Sequence, residues 1–203
     1  MHVKTILLTR PSGVNKPLAD LFHAEGLSPI VRPLIKLVEK AVDQEMKQIA
    51  LDLDRYDKII FVSKASVRFG LPILEKYWPQ WPLSIEWFAV GQGTAAELKQ
   101  QGVVASFPNL AGSEGLLALS GLQAVAGERI LIVRGAGGRE LLAQSLVESG
   151  ASVAYLETYR RLPLRHDFSD LVAGSIVILT SAEILENFTS LCGENMHEYH
   201  AVV

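Results

Sequence analysis

The sequence is poor in the residues that support disulfide, metal and nucleic-acid chemistry. Cys192 is the single cysteine among 203 residues, which excludes an intramolecular disulfide and a zinc ribbon. Positive charge is also scarce, since 19 Lys and Arg residues stand against 22 Asp and Glu residues, for a net charge of −3. A broad nucleic-acid surface usually needs a basic balance, so we expect no nucleic-acid partner. The five histidines show no metal-ligand pattern, and we predict neither a metal nor a cofactor.

Long apolar runs are absent as well. No run approaches the ~18 apolar residues of a membrane span, so we expect no membrane partner. The apolar run at residues 5–8 is too short for a signal peptide. Apolar residues nevertheless make up 49% of the chain, and the mean hydropathy is +0.23, which is enough for a real core. We therefore expect a folded, cytoplasmic protein.

Short β-branched runs alternate along the chain with amphipathic windows. The predicted strands cover residues 5–8, 28–32, 58–62, 86–90, 103–107, 129–133, 152–160 and 175–179, and a last one begins at 201. The predicted helices cover residues 16–25, 65–77, 94–101, 113–119, 138–149 and 182–191. Buried strands alternating with helices predict an α/β fold with parallel sheets.

Two segments interrupt this alternation, at residues 33–42 and 159–167. A chain that leaves one domain at the first break and returns at the second forms a discontinuous domain. We therefore predict a first α/β domain of residues 1–35 and 162–203, and an inserted α/β domain of residues 36–161. On periodicity alone, a single continuous sheet remains the alternative.

Five predicted strand-to-helix junctions are rich in hydroxyl and glycine residues. They cover residues 9–12, 63–66, 91–94, 134–139 and 180–183. Ligands of parallel α/β folds bind at such junctions, where helix N-termini attract anions. Ser, Thr and Gly are equally expected there as helix caps, so capping remains an alternative for each junction. The segment 134–139 differs, because two arginines flank its glycines.

One junction has a weak dinucleotide pattern. Residues 91–96 fit the spacing G-x-G-x-x-A after a strand. That pattern needs an acidic residue that closes the next strand, whereas Glu114 falls at a predicted helix start. A nucleotide-dependent oxidoreductase is thus the third hypothesis. The sequence favours an enzyme without a nucleotide, or a simple anion binder, over it.

An aromatic and basic run follows the predicted insert. Alternation along an extended strand places Tyr155, Glu157, Tyr159 and Arg161 on one face. The run is then either a linker strand with an aromatic residue packed at a hinge, or a strand that turns a tyrosine hydroxyl towards an interdomain cleft.

Seven stretches, in this order and spacing, resemble the uroporphyrinogen-III synthase family. They are residues 7–11, 61–67, 89–95, 112–117, 130–142, 157–161 and 177–181. The resemblance implies two parallel-sheet α/β domains joined by a two-stranded linker, with strands near 33–35 and 159–161 and a cleft between the domains. It also implies that linear hydroxymethylbilane loses water and closes through a spiro intermediate to uroporphyrinogen III, with ring D inverted.

The resemblance also suggests roles for individual residues. Tyr159 matches the family tyrosine proposed to assist loss of the hydroxyl group. Hydroxyl groups at the cleft rim match Ser63, Thr94, Thr180 and Ser181. We add three arginines as partners of substrate carboxylates: Arg10, Arg134 and Arg139. The remaining candidate contacts at the junctions are Lys64, Gly93, Gly135, Gly137 and Gly138.

The resemblance names hydroxymethylbilane as substrate, with a transient hand-over from hydroxymethylbilane synthase, and we expect a monomer. The family usually continues beyond the last strand seen here, so we expect part of the first domain to be missing. The main alternative is a non-catalytic two-domain binder of a small polyanionic ligand.

Overall fold

The computed structural model describes residues 5–193 and 199–202. Its strands are β1 (Ile6–Leu8), β2 (Ile30–Val31), β3 (Ile35–Glu39), β4 (Lys58–Phe61), β5 (Glu86–Ala89), β6 (Arg129–Gly135), β7 (Ser152–Pro163), β8 (Ile176–Ile178) and β9 (His200–Val202). Its α-helices are α1 (Lys16–Ala24), α2 (Gln44–Leu51), α3 (Lys64–Glu75), α4 (Gln92–Gln100), α5 (Ser113–Leu117), α6 (Leu141–Glu148) and α7 (Ala182–Cys192).

The strands form two sheets, in the orders β2-β1-β8-β9 and β3-β7-β6-β4-β5. Strand β1 pairs in parallel with β2 and β8, and β8 with β9. In the larger sheet, β4 pairs in parallel with β5 and β6, and β6 with β7. The predicted α/β class with parallel sheets is confirmed, and the alternative of one continuous sheet is wrong.

The chain divides into two compact units. The first contains Met1–Val38 and Arg161–Val203, and the second contains Glu39–Arg160. The chain therefore passes from one unit to the other twice, once within β3 and once within β7. Unit 2 is continuous in sequence, whereas unit 1 is built from both ends of the chain.

The sheet of unit 1 is covered on both faces by apolar side chains. Leu7 packs with Phe188 of α7, while its neighbours Ile6 and Leu8 pack with Ala19 of α1. Successive residues of a strand point to opposite faces, which explains why all three residues of β1 are buried. Burial on both faces is typical of parallel sheets, whose strands are apolar without alternation.

The sheet of unit 2 is also covered on both faces. Phe61 and Val133 belong to a cluster that includes residues of α2, α3 and α4. Ile60 and Ile132 belong to a second cluster, which includes residues of α5 and α6. The two faces of this sheet therefore differ in the helices that cover them, a difference that decides where Tyr155 and Tyr159 lie.

Several predicted elements differ from the structure. The predicted strand at 103–107 is wrong, because a single parallel bridge joins Ser106 to Phe88 and Val104 is 83% exposed. The predicted helix at 138–149 begins only at Leu141, because Gly137 has a φ of +71° and ends the extended chain in a turn. The break predicted at 33–42 also contains a regular strand, β3.

A buried lysine lies at the amino-terminal end of the sheet in unit 2. The Lys58 side chain is 5% exposed, and its Nζ atom donates to Glu128 Oε1 at 2.8 Å and to Glu86 Oε1 at 3.1 Å. Burial alone lowers the pKa of the Lys58 ammonium, but the hydrogen bonds and charges of the two carboxylates raise it above its ordinary value. The sheet thus depends on these two glutamates to keep a buried charge paired.

Candidate functional site

The candidate residues of unit 2 follow the carboxyl ends of three adjacent parallel strands. Strand β4 leads to Ser63, the N-cap of α3, and β5 leads to Gly91, the N-cap of α4. Strand β6 ends at Gly135 and is followed by a loop that reaches α6. Because β5, β4 and β6 are neighbours, these junctions share one edge of the sheet, where ligands of parallel α/β folds bind.

Ser63 is held by a reciprocal capping box. Its Oγ atom accepts from the backbone N–H of Ser66 at 2.9 Å, and Ser66 Oγ accepts from the backbone N–H of Ser63 at 3.0 Å. The hydroxyl of Ser66 also donates to the carbonyl of Ser63 at 2.6 Å. The capping interpretation is confirmed for Ser63, and its hydroxyl is fixed in place by these bonds.

The hydroxyl groups of Ser63 and Tyr159 are hydrogen-bonded, with 3.1 Å between Ser63 Oγ and Tyr159 Oη. These residues are 96 positions apart in sequence, and the parallel sheet brings them together. Tyr159 is 1% exposed, and its ring packs on that of Phe69 in α3 at 5.5 Å between centroids. A serine at a helix N-terminus and a buried phenol therefore form one polar pair.

The prediction that Tyr155 and Tyr159 share a face is wrong, because a β-bulge intervenes. Arg134 pairs with Glu157 and Gly135 with Tyr159, so Thr158 is an extra residue in β7. Consequently Thr158 and Tyr159 are both fully buried in succession. Tyr159 contacts Phe69 and Ser63 on the α3 side, whereas Tyr155 packs in the cluster of α5 and α6.

Lys64 extends across the beginning of the neighbouring helix. A Cβ atom at Gly93 would lie 3.0 Å from Cε and 3.7 Å from Nζ of Lys64, so the exposed lysine runs directly over this glycine. Helix α4 begins at Gln92, and its first turn presents backbone N–H groups and the positive end of the helix dipole. The lysine and the helix terminus together attract anions.

Thr94 does not lie at an exposed rim. It occupies the first turn of α4 and is 5% exposed, and its backbone N–H donates to the Gly91 carbonyl. The helix begins two residues earlier than predicted and buries Thr94 in its first turn, so contact of its hydroxyl with a ligand stays a prediction.

Arg134 is engaged within the protein. It is 4% exposed, and its Nη1 donates to Glu140 Oε1 at 2.9 Å while Nε lies 3.8 Å from Glu157 Oε1. Its guanidinium lies over the ring of Tyr155 at 4.5 Å and passes so close to Gly138 that a Cβ there would lie 2.7 Å from Nη2. The prediction that Arg134 binds a substrate carboxylate would require displacement of these glutamates; the structure gives it a role in holding the loop.

Gly137 and Arg139 lie in that same loop and are exposed. Gly137 takes the left-handed conformation that opens the turn, and Arg139 follows the glycines on the surface. The exposed guanidinium leaves Arg139 available to a carboxylate, which stays a prediction.

The phenol of Tyr155 donates to Glu140 Oε2, on the carboxylate that also pairs with Arg134. Burial and this hydrogen bond raise the pKa of Tyr155 to about 12, while the bonds from Tyr155 and Arg134 lower the pKa of Glu140. A raised phenol pKa means that the folded state keeps a proton that the unfolded chain releases above pH ~10.

The stabilisation from Tyr155 is therefore complete below pH ~10 and disappears as the pH rises towards 12. We expect the free energy of unfolding, measured in urea from pH 8 to 11.5, to fall more steeply in the parent than in Tyr155→Phe. The difference should be about 1 kcal/mol, because solvent screens the half-exposed Glu140. Burial also raises the pKa of Tyr56. Because Tyr56 is present in both proteins, it contributes the same loss of stability at alkaline pH to each and serves as the internal control. Parallel curves would contradict the assignment.

The candidate residues of unit 1 follow β1 and β8, which are neighbours in its sheet. Arg10 follows β1 and is partly exposed, and its backbone carbonyl accepts from Asn15 Nδ2 at 2.7 Å. Thr180 and Ser181 follow β8 and are exposed. Ser181 caps α7 by accepting from the N–H of Ile184 at 3.3 Å, which confirms the capping interpretation there.

Within residues 5–193 and 199–202, no group of three or more His, Cys, Asp or Glu residues is arranged to hold a metal ion. Over the same residues, no helix is both long and apolar enough to cross a membrane. Cys192 is partly buried at the end of α7, and burial raises the pKa of its thiol. A raised pKa disfavours the thiolate that a nucleophile requires.

Sequence reasoning missed three residues that shape this site. Phe69 packs on Tyr159, Ser66 completes the capping box, and Glu140 pairs with Arg134. The Ser-x-x-Ser spacing that opens α3 is a local signal for the capping box. The other two contacts depend on the packing of helices on the sheet, for which the sequence holds no local signal.

Comparison with known proteins gives a consistent family. A family model described as uroporphyrinogen-III synthase HemD matches residues 16–203. The uroporphyrinogen-III synthase of Salmonella typhimurium is 32% identical and aligns with 96% of this chain and 82% of its own. That of Escherichia coli is also 32% identical, with the same coverage.

Solved structures show the same fold. A mutant uroporphyrinogen III synthase from Thermus thermophilus superposes with a TM-score of 0.64 at 18% identity, covering 98% of this chain and 83% of its own. The uroporphyrinogen-III synthetase of Helicobacter pylori gives a TM-score of 0.62 at 16% identity, with 98% and 82% coverage.

Proposed function

We propose that this chain, which belongs to the uroporphyrinogen-III synthase family, cyclises hydroxymethylbilane to uroporphyrinogen III with loss of water and inversion of ring D. The observation that carries the proposal is the family match over residues 16–203, together with 32% identity over nearly the whole chain. The same match disfavours a nucleotide-dependent oxidoreductase, whose sequence support was limited to residues 91–96. A non-catalytic binder of a polyanion becomes an outcome of the activity test.

The reaction depends more on control of the substrate's conformation than on strong acid–base catalysis. Loss of the terminal hydroxyl as water leaves an azafulvene, which ring D attacks through its substituted carbon to form a spiro intermediate. Fragmentation and re-closure then join the inverted ring. The bilane also cyclises unaided without inversion, so the enzyme must hold the folded bilane in the geometry that leads to the inverted product.

Tyr159 is proposed as the donor that assists loss of the hydroxyl. Ser63 Oγ already accepts from the Ser66 N–H, so the Ser63 proton can be donated to Tyr159 Oη. Tyr159 can then give its own proton to the leaving oxygen, which departs as water, and recover one when ring closure releases a proton. Because Tyr159 is 1% exposed, Oη must be uncovered when substrate binds.

The carboxylates of the bilane require several anion contacts. Lys64 above Gly93 at the start of α4 supplies one, and we propose that Arg139 and the glycine loop beside it supply another. In unit 1, Arg10, Thr180 and Ser181 are the proposed contacts. A few cations and backbone amides near the substrate suffice to bind its carboxylates, so the proposal is compatible with a net charge of −3 for the chain.

We further propose that the two compact units are the two domains of the sequence prediction, and that β3 and β7 are the segments in which the chain passes from one domain to the other. A monomeric, cytoplasmic enzyme that receives its unstable substrate from hydroxymethylbilane synthase fits this chemistry.

The decisive experiment generates hydroxymethylbilane in situ with its synthase, adds this protein, oxidises the products and separates the isomers by chromatography. We expect the type III isomer to dominate. The Escherichia coli relative serves as positive control, and the reaction without added protein gives the type I background. Binding of the bilane with type I product alone would leave the polyanion binder as the function and would overturn the enzyme proposal.

A further inference from the structure

Gly135 lies at the end of β6 with its α-carbon directly against the ring of Tyr159. A Cβ atom added at this position would meet Cε2 of Tyr159 at 2.5 Å and Cζ at 2.6 Å. Gly135 is not among the glycines with positive φ, so its backbone conformation is open to other residues. Glycine is therefore needed at this position for close approach.

Three further contacts fix the same phenol. The Tyr159 ring packs on Phe69, its hydroxyl is hydrogen-bonded to Ser63 at 3.1 Å, and the backbone carbonyl of Tyr159 accepts from the N–H of Ala136 at 2.8 Å. The bulge at Thr158 places Tyr159 opposite Gly135 in the register. Ring, hydroxyl and backbone are thus held separately, and the bare Gly135 supplies the space that the ring occupies.

We propose that Gly135 is a positioning residue for Tyr159, and that its missing side chain determines where the phenol hydroxyl meets the substrate. The inference rests on the proposed function, because it gives Gly135 a role through Tyr159. Carbon atoms pack at about 3.5–4.0 Å, so a methyl group at Gly135 displaces the ring by about 1 Å. A displacement of this size at a reacting group can reduce the rate by about 10²-fold.

The kinetic test is Gly135→Ala in the isomer assay. We expect kcat for the type III product to fall between about 10-fold and 10²-fold with little change in KM. Gly121→Ala is the matched control, because its Cβ would meet Phe88 Cζ at 2.9 Å, away from Tyr159. It should lower stability while leaving kcat per folded molecule unchanged. Added to Tyr159→Phe, Gly135→Ala should cause no further loss of kcat, since the group it positions is already gone.

A second readout follows the ring directly. The chain has five tyrosines, so selective ring-¹³C labelling gives few NMR signals, and Tyr159→Phe identifies the one that belongs to Tyr159. Gly135→Ala should shift this signal and Gly121→Ala should not. An unshifted signal would overturn the inference whatever the rate. If Tyr159→Phe is slow while Gly135→Ala shifts the signal at full rate, positioning by Gly135 is wrong; if neither is slow, the proposed role of Tyr159 fails.

A variant that removes atoms covers the case in which Gly135→Ala does not fold. Phe69→Leu takes away the ring that packs on Tyr159 and inserts nothing. We expect the Tyr159 signal to move and kcat to fall, again without a matching change in KM. A folded Phe69→Leu protein with a displaced Tyr159 signal and normal kcat would contradict the view that the ring position matters.

Discussion

Replacing Tyr159 with phenylalanine should lower kcat for the type III isomer by about 10²-fold, at the low end of what a general acid contributes. The variant removes one oxygen and leaves the ring on Gly135 and Phe69. The lost bond to Ser63 should cost about 1 kcal/mol of stability, which a stability measurement separates from the loss of rate.

Two further variants serve as comparisons for Tyr159→Phe. Tyr77→Phe removes the same atom from a tyrosine at the end of α3 and should not change kcat. Lys64→Gln removes a proposed carboxylate contact and should raise KM more than it lowers kcat. Because salt screens the attraction between Lys64 and the carboxylate in the parent, added salt should reduce the difference in KM between parent and variant. An unchanged rate in Tyr159→Phe would remove this tyrosine from the mechanism.

The double variant Glu86→Gln and Glu128→Gln should lower the free energy of unfolding at pH 7 by about 3–5 kcal/mol, because it leaves Lys58 buried and unpaired. Most of this loss should come from Glu128, which is 28% exposed compared with 59% for Glu86. The double variant Glu75→Gln and Glu148→Gln changes the net charge equally at exposed glutamates and is the matched control.

The pH dependence of this loss has a definite sign. In the parent, the raised pKa of Lys58 provides stability that is complete below its ordinary value of 10.5 and is lost at higher pH. In the variant, burial acts alone and lowers the pKa, so the penalty is largest at neutral pH and decreases as the pH rises towards 10.5. Urea unfolding of the parent and the double variant at pH 7 and pH 9.5 measures the stability penalty at each pH. Equal stability of the two double variants at pH 7 would show that Lys58 needs no partner.

Local sequence patterns predicted the elements that carry the site but not the contacts within it. The apolar run at 58–62 and the serine after it correctly predicted a buried strand leading to a capped helix, because each signal is contained within a few residues. The bulge at Thr158 was not predictable, since it exists only in the pairing of β7 with β6. One extra residue therefore invalidated the expected alternation.

The arginine at 134 illustrates a second limit. Flanking glycines and a basic side chain indicated an anion site, yet the guanidinium folds back onto Glu140, Glu157 and Tyr155. Whether a charged side chain meets a ligand or an internal partner depends on which distant residues the fold brings near it. Sequence spacing alone does not contain that information.

The chain passes twice between the two units, and this affects how the protein folds during synthesis on the ribosome. Strand β1 pairs with β8, joining Ile6 to Ile176, so the sheet of unit 1 cannot be completed until β8 has been translated. All of unit 2, residues 39–160, leaves the exit tunnel before then and can fold first. Folding of unit 2 shortens the effective loop that β1 must close, which reduces the entropic cost of completing unit 1.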